Sequence, residues 1–179
     1  IPYTYDPANP NTLLDNRVFC MSKDEKGNIW IGTQNRGLCK LNPGTGEFKF
    51  FLHDYSQPGS LPDNGVYDVY PDSHGKLWIA TENGFAVMDL SNYEIRTYTT
   101  NDGLCNNDVF TILPDQQGFL WLATNNGLSK FDPQKSDFKN YYINDGLPTN
   151  TISGSMFHSS DGTLYFGTTG MINYFHPDK

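Results

Sequence analysis

The chain has 179 residues, with 20 acidic against 12 basic side chains, a net charge of -8 and a pI near 4.7, so it lacks the clustered Lys and Arg on which nucleic-acid and anionic-membrane binding depend. With 15% aromatic residues, 17 Gly and no window of helical apolar spacing longer than a turn, it reads as many short strands joined by tight turns, large enough to bury a sizeable core. No run approaches 18 apolar residues and the first residues show neither a basic nor an apolar leader region, so the sequence as given is expected to hold no membrane span or signal peptide.

The first patterned stretch is Tyr3-Thr-Tyr-Asp6, followed by Asn9-Pro10-Asn11-Thr12-Leu13. It lines up 48 residues upstream of Phe51-Leu-His-Asp54 and Gln57-Pro58-Gly59-Ser60-Leu61. It is therefore read as the fourth strand of a repeating unit, and the rest of the chain supplies the other copies. Gly27-Asn28-Ile29-Trp30-Ile31-Gly32-Thr33 recurs as Gly75-Lys76-Leu77-Trp78-Ile79-Ala80-Thr81, Gly118-Phe119-Leu120-Trp121-Leu122-Ala123-Thr124 and Gly162-Thr163-Leu164-Tyr165-Phe166-Gly167-Thr168. The steps along the aromatic position are 48, 43 and 44 residues, a period that marks an array of identical supersecondary units.

Each unit reads as four strands, in the second copy Val66 to Tyr70, Leu77 to Thr81, Phe85 to Asp89 and Ile95 to Thr99. Asp24-Glu-Lys-Gly27, Asp72-Ser-His-Gly75 and Asp115-Gln-Gln-Gly118 are turns opened by an Asp side chain and closed by a Gly at positive φ, so capping the backbone accounts for these recurring carboxylates. Asn83-Gly84 and Asn126-Gly127 are the dipeptides of a type I′ hairpin, in which both residues take positive φ. Asn42-Pro43, Asp132-Pro133 and His176-Pro177 end the third strands, because Pro donates nothing to a ladder. Four strands joined by three tight turns make an antiparallel meander.

The second strand fixes how the meanders pack. In Leu77-Trp78-Ile79-Ala80 both faces are apolar, so each sheet must be covered on both sides, and in a repeating chain the simplest cover is the next sheet. The Trp face always carries a small partner (Gly32, Ala80, Ala123, Gly167) that leaves room for a bulky neighbour. Sheets stacked radially around an axis form a β-propeller; a stacked sandwich or a β-helix is the alternative. The expected fold is all-β: one domain over 1–179, with blades at about 13–60, 61–103, 104–146 and 147–179, the strand at 1–6 completing the last blade.

The three cysteines show no CxxC and no alternation with His at metal spacing. Cys39 falls where other copies have Ala86 and Ser129, so it reads as a small residue in a tight slot, and a Cys20–Cys39 disulfide is unfavoured because a strand separates them. Cys105 takes the loop position of Pro62 and Pro148. His53, His74, His158 and His176 fall at unrelated repeat positions and read as scattered surface residues; neither a metal site nor a cofactor is expected. No nucleophile elbow, HExxH or calcium loop is present.

Written out as Leu61-Pro-Asp-Asn64-Gly-Val-Tyr-Asp-Val-Tyr-Pro-Asp72-Ser-His-Gly75-Lys-Leu-Trp78-Ile-Ala-Thr-Glu-Asn-Gly84, the repeat resembles the two-component regulator propeller repeat, over residues 13 to 179. The last copy departs from it, with Tyr165 for Trp, an extra residue between Ile152 and Tyr165, and Met171-Ile-Asn-Tyr-Phe-His-Pro-Asp-Lys179, which is similar to the closing blade that precedes an immunoglobulin-like module in such sensors. The resemblance implies the periplasmic sensor region of a membrane-anchored hybrid histidine kinase, sensing a small molecule or oligosaccharide, with no part of the kinase in this chain.

In a propeller the loops between blades and those joining second and third strands open on one face. Asn16, Asn64, Asn107 and Asn150 are expected there with Glu82-Asn83, Asn125-Asn126 and Arg36, the last of these introduced by a one-residue insertion. Amide side chains donate and accept together, which suits sugar hydroxyls; the plainer reading is that the recurring asparagines hold their loops. Three function classes follow: a non-enzymatic sensor, a lyase-like enzyme on the same scaffold, and a structural spacer. Sixteen strands make four blades' worth, and two copies related by a twofold axis are expected to form one eight-bladed ring as a homodimer, with closure of one chain as a ring of four the alternative.

Overall fold

The computed structural model describes residues 3–9, 11–152, 154–168 and 170–177; Pro10 of the leading segment and Asp178 and Lys179 of the closing motif lie outside the described residues. Every ladder is antiparallel and strand order follows the chain. The first sheet is β1 (Val18–Lys23), β2 (Ile29–Thr33), β3 (Leu38–Asn42) and β4 (Glu47–Phe51), and the second is β5 (Val66–Pro71), β6 (Lys76–Thr81), β7 (Gly84–Asp89) and β8 (Ile95–Tyr98). The third is β9 (Val109–Pro114), β10 (Leu120–Thr124), β11 (Gly127–Asp132) and β12 (Asp137–Tyr141). The fourth has three strands, β13 (Met156–His158), β14 (Leu164–Thr168) and β15 (Met171–Phe175). Helix among the described residues is confined to two single 3-10 turns, Thr100–Asp102 and Ile143–Asp145. The chain divides into two compact units, Ile1–Thr97 and Tyr98–Lys179.

Within the first unit the expected stacking is present. Trp30 is fully buried in a cluster with Val66, Val69, Leu77, Ile79, Ala86 and Met88, so the Trp face of the first sheet lies on the Leu/Ile face of the second. Gly32 explains the small column: a Cβ there would sit 2.7 Å from the Val66 carbonyl oxygen and 2.8 Å from its Cγ1, so the next blade's inner strand excludes any side chain. The second unit repeats the arrangement, with Trp121 buried among Ile152, Leu164 and Phe166 and its ring 4.8 Å from that of Phe175.

The turn Asp does more than cap. In the first three copies one carboxylate oxygen accepts the backbone N–H four residues on (Asn28, Lys76, Phe119), while the other accepts the indole N–H of Trp30, Trp78 or Trp121 at 2.9 Å. One side chain thus ties the turn to the blade's main packing residue. In the fourth copy both halves change: Ser159 stands at the Asp position and Tyr165 at the Trp position, and the Ser159 hydroxyl bonds locally to Asp161 and to the Thr163 carbonyl.

Two expectations are corrected. The hairpins after β6 and β10 are not type I′: among non-Gly residues only Tyr93 and Ser136 have positive φ, so Asn83 and Asn126 do not. Ladder pairing runs Thr81 to Gly84 and Thr124 to Gly127, which makes Glu82-Asn83 and Asn125-Asn126 the loops and puts positive φ on the Gly alone. The buried threonine closes the turn instead, donating to the Gly carbonyl at 2.7 Å and accepting the N–H of the second loop residue, Asn83 or Asn126. The second correction concerns Tyr3 to Asp6, which form no strand. Tyr3 packs edge-on against Phe48 at 5.7 Å, the Tyr5 N–H donates to Asn16 Oδ1 at 2.9 Å, and Thr12 bonds the Asp6 backbone, so side chains hold this segment to its own unit without a ladder.

Candidate functional site

The strand 2–3 turns and the inter-blade loops meet along one edge of each unit. In the first unit Gln34 N–H donates to the Arg17 carbonyl, Gly37 N–H to Asn64 and Glu82 N–H to Gly65. In the second, Asn125 N–H donates to Asp108, Gly127 N–H to Asn150, and Ile152 N–H to Thr124. Asn64, Glu82, Asn83 and Arg36 are therefore neighbours in the first unit, and Asn125, Asn126 and Asn150 in the second; each set is described within its own unit.

The recurring asparagines share one role. Oδ1 of Asn16, Asn64, Asn107 and Asn150 accepts the backbone N–H of Tyr5, His53, Thr100 and Ile143 at 2.8 to 2.9 Å, which folds each inter-blade loop back on itself. Their acceptor oxygens are engaged and their amide NH2 groups have no partner among the described residues, so toward a ligand these side chains act as donors. Glu82, Asn83, Asn125 and Asn126 have exposed side chains. Arg36 is exposed, its backbone N–H bonds Thr33 Oγ1 at 3.1 Å, and its guanidinium makes no hydrogen bond or salt bridge among the described residues.

One residue on this edge escaped the sequence reading. Tyr55 is 97% exposed and stands edge-to-face on His53 at 4.3 Å, while His53 Nδ1 lies 2.6 Å from the Leu61 carbonyl oxygen. The Arg36–Gly37 turn abuts both ends of this loop, since a Cβ on Gly37 would meet the Phe51 carbonyl, Leu52 and Asn64. The signal was present in the first repeat step, 48 residues against 43 and 44, because the extra residues fall at Arg36 and in the Tyr55 loop.

A cleft of about 480 Å³ lies elsewhere in the first unit, beside the turns that carry Asn28 and Asn42. Lys40, Lys49, Glu47, Phe48 and Asn11 complete its lining. The expected ligand edge is thus not where this cleft lies. Asp24, at its rim, is pushed up by burial, but hydrogen bonds from Asn28 and Trp30 outweigh that and hold its carboxyl below the usual range. Burial pushes the Cys20 thiol up to about 12, with Asp68 adding to the shift, and raises the Cys39 and Cys105 thiols as well; all three are free thiols. No group of His, Cys, Asp and Glu able to hold a metal occurs among the described residues.

A family model described as two component regulator propeller matches residues 12–35, 60–83, 103–126 and 146–170, just over half of the chain. No match to a curated protein was found. Among solved structures, the extracellular domain of a B. thetaiotaomicron protein described as a hybrid two component system is 22% identical with a TM-score of 0.79, covering 93% of this chain and 24% of its own. A second such extracellular domain from that organism is 22% identical with a TM-score of 0.69, over 96% of this chain and 28% of its own. Virginiamycin B lyase from Staphylococcus aureus is 18% identical with a TM-score of 0.67, over 93% and 57%. These likenesses establish the propeller fold, and the chain spans about a quarter of the two extracellular domains. No helix among the described residues is long and apolar enough to cross a membrane.

Proposed function

This chain belongs to the two-component regulator propeller family, and on that footing we propose that it is a non-catalytic, ligand-sensing part of the periplasmic region of a membrane-anchored two-component receptor, and that its ligand is an oligosaccharide. The observation that carries the ligand reading is the edge of the first unit, where the Arg36 guanidinium, the donor face of Asn64, the Glu82 carboxylate and the exposed Tyr55 ring occur together. Sugars are bound by planar arrays of donors and acceptors with an aromatic platform beneath, since their hydroxyls need both partners and their C–H faces need an apolar surface.

A thermal-shift screen against neutral oligosaccharides tests this. A ligand at about 100 times its Kd stabilises the bound fold by about 2.7 kcal/mol, which is read as a rise of several degrees. Arg36→Ala and Tyr55→Ala should each abolish that rise without lowering the Tm of the free protein. Chromatography of the same mixtures must show intact sugar. Turnover would replace the sensor with a lyase-like enzyme, and silence across the panel would leave a structural module.

A further inference from the structure

The geometry points to a second site: the cleft between Lys40 and Lys49 binds the anionic group of a small, hydroxylated organic anion. Lys40 on β3 and Lys49 on β4 are directly opposed ladder partners. Like charges in that position destabilise a sheet unless other groups engage them. Lys130 and Lys139 are the same pair in the third sheet, and there the Asp115 carboxylate lies 3.9 Å from Lys130 Nζ. In the first sheet the equivalent carboxylate, Asp24, makes the same turn and indole bonds and is engaged further by a neighbouring amide. Asn28, standing where the other copies have Lys76 and Phe119, donates its amide to both Asp24 oxygens at 3.1 and 2.9 Å, and Trp30 takes the remaining direction. Asp24 makes no salt bridge with Lys40.

Tyr93 then arranges the two ammonium groups. It reaches from the turn after β7 in the second sheet, its hydroxyl accepting from Lys40 Nζ at 3.0 Å and its ring lying 3.6 Å from Lys49 Nζ. It does so from φ 64°, at a turn position that is left-handed in the first and third copies as well (Gly46, φ 74°; Ser136, φ 55°), each with its N–H bonded to the carbonyl four residues back.

Lys49 Nζ makes no hydrogen bond among the described residues, and neither does the amide NH2 of Asn42; both line the 480 Å³ cleft. Among the lining residues two ammonium groups face the single Glu47 carboxylate, with the hydrogen-bonded Asp24 carboxylate at the rim, in a chain of net charge -8. The ammoniums suit a carboxylate or a sulfate or phosphate ester, Asn42 adds a donor, and Glu47 accepts from hydroxyls.

Titration calorimetry and amide NMR on the whole chain, at constant ionic strength, test the assignment with glucuronate, galactose 6-sulfate and glucose as probes. Binding of either anion with glucose at least tenfold weaker is expected, with shifts confined to residues around Asn42, Glu47 and Lys49. Which anion binds more tightly identifies the carboxylate or the ester as the natural group. Lys49→Met, which keeps the stem over Tyr93, should weaken binding about tenfold or more, while Lys139→Met should leave it unchanged. Equal binding of glucose, no binding of either anion, or an equal loss in Lys139→Met with a normal far-UV spectrum would overturn the proposal. Arg36→Ala separates it from the oligosaccharide reading, because that variant must still bind the anion.

Discussion

The Asp–Trp brace gives the sharpest test of how the repeat holds together, because the fourth copy has already made the exchange. Consider Asp115→Ser, Trp121→Tyr and the pair, which convert the third copy into the fourth. Trp121 is buried against Tyr141 at 5.6 Å and Phe175 at 4.8 Å, and its indole N–H donates to Asp115 Oδ2. Shrinking the ring in a packed slot costs about 1 to 3 kcal/mol, below the 3 to 5 kcal/mol of full truncation, and removes the donor from Asp115. Asp115→Ser removes acceptors from the indole and from the Gln117 and Phe119 N–H groups, about 2 to 4 kcal/mol. The indole–carboxylate bond is lost in either single variant and is lost only once in the pair. The pair should therefore cost about 1 to 2 kcal/mol less than the two singles together. Urea titration followed by far-UV circular dichroism on all four proteins measures this, since a stability of about 5 to 15 kcal/mol keeps each variant folded enough to fit. Additivity within about 0.5 kcal/mol would refute the brace and make the Ser159–Tyr165 combination a coincidence.

The loop-holding role of the asparagine column predicts that Asn107→Ala costs about 1 kcal/mol through its bond to Thr100, whereas Asn126→Ala, whose side chain makes no hydrogen bond among the described residues, stays within about 0.5 kcal/mol; equal losses in denaturant titration would contradict that role. Asp161 is held down to about 2, first by the Ser159 hydroxyl and then by Thr163. A depressed carboxylate stabilises above its unfolded value of about 3.9 and loses that contribution as pH falls through its folded value, so the Tm of wild type should fall more steeply than that of Asp161→Asn between about pH 4 and pH 2. The outer edge of β15 has no ladder partner among the described residues, and Ile172 and Tyr174 beside it are 78% and 70% exposed. Self-association through such an edge is expected; light scattering should give a mass near twice 20.2 kDa, falling to the single-chain value in Ile172→Lys, and a monodisperse 20.2 kDa wild type would exclude it.

The blades were legible because their signals are local. Two-residue alternation, Asp-x-x-Gly turns and a small residue beside each Trp are properties of one strand and its neighbour in sequence, and the register they imply recurs in the ladders of the first three sheets. What failed to show was whatever depends on a partner distant in sequence. The Asn-Gly dipeptides predict a type I′ turn from intrinsic φ preference, yet Thr81 and Thr124 close those turns with their own hydroxyls. Tyr93 meets Lys40, Lys49 and Phe51, more than forty residues upstream, contacts that no local pattern shows. The opposition of Lys40 and Lys49 became visible only once β3 and β4 were in register.

Repetition also decides where recognition has to be sought. A residue present in every copy is explained first by what every copy must do, and the asparagine column fits that rule, since each Oδ1 closes a loop within its own unit. Asn16, Asn64, Asn107 and Asn150 are for that reason weak carriers of specificity, with only their NH2 groups left to face a ligand. Residues outside the repeated pattern carry no such obligation: Arg36 and Tyr55 occupy insertions of the first copy, and Asn28 and Tyr93 stand at positions where no two copies have the same residue. Tyr93 bears a conformational cost of about 1 to 3 kcal/mol that Gly at the same turn position in the first copy avoids. All four departures belong to the first unit, so ligand selectivity in this chain should follow substitutions there and respond little to changes in the asparagine column beyond their effect on stability.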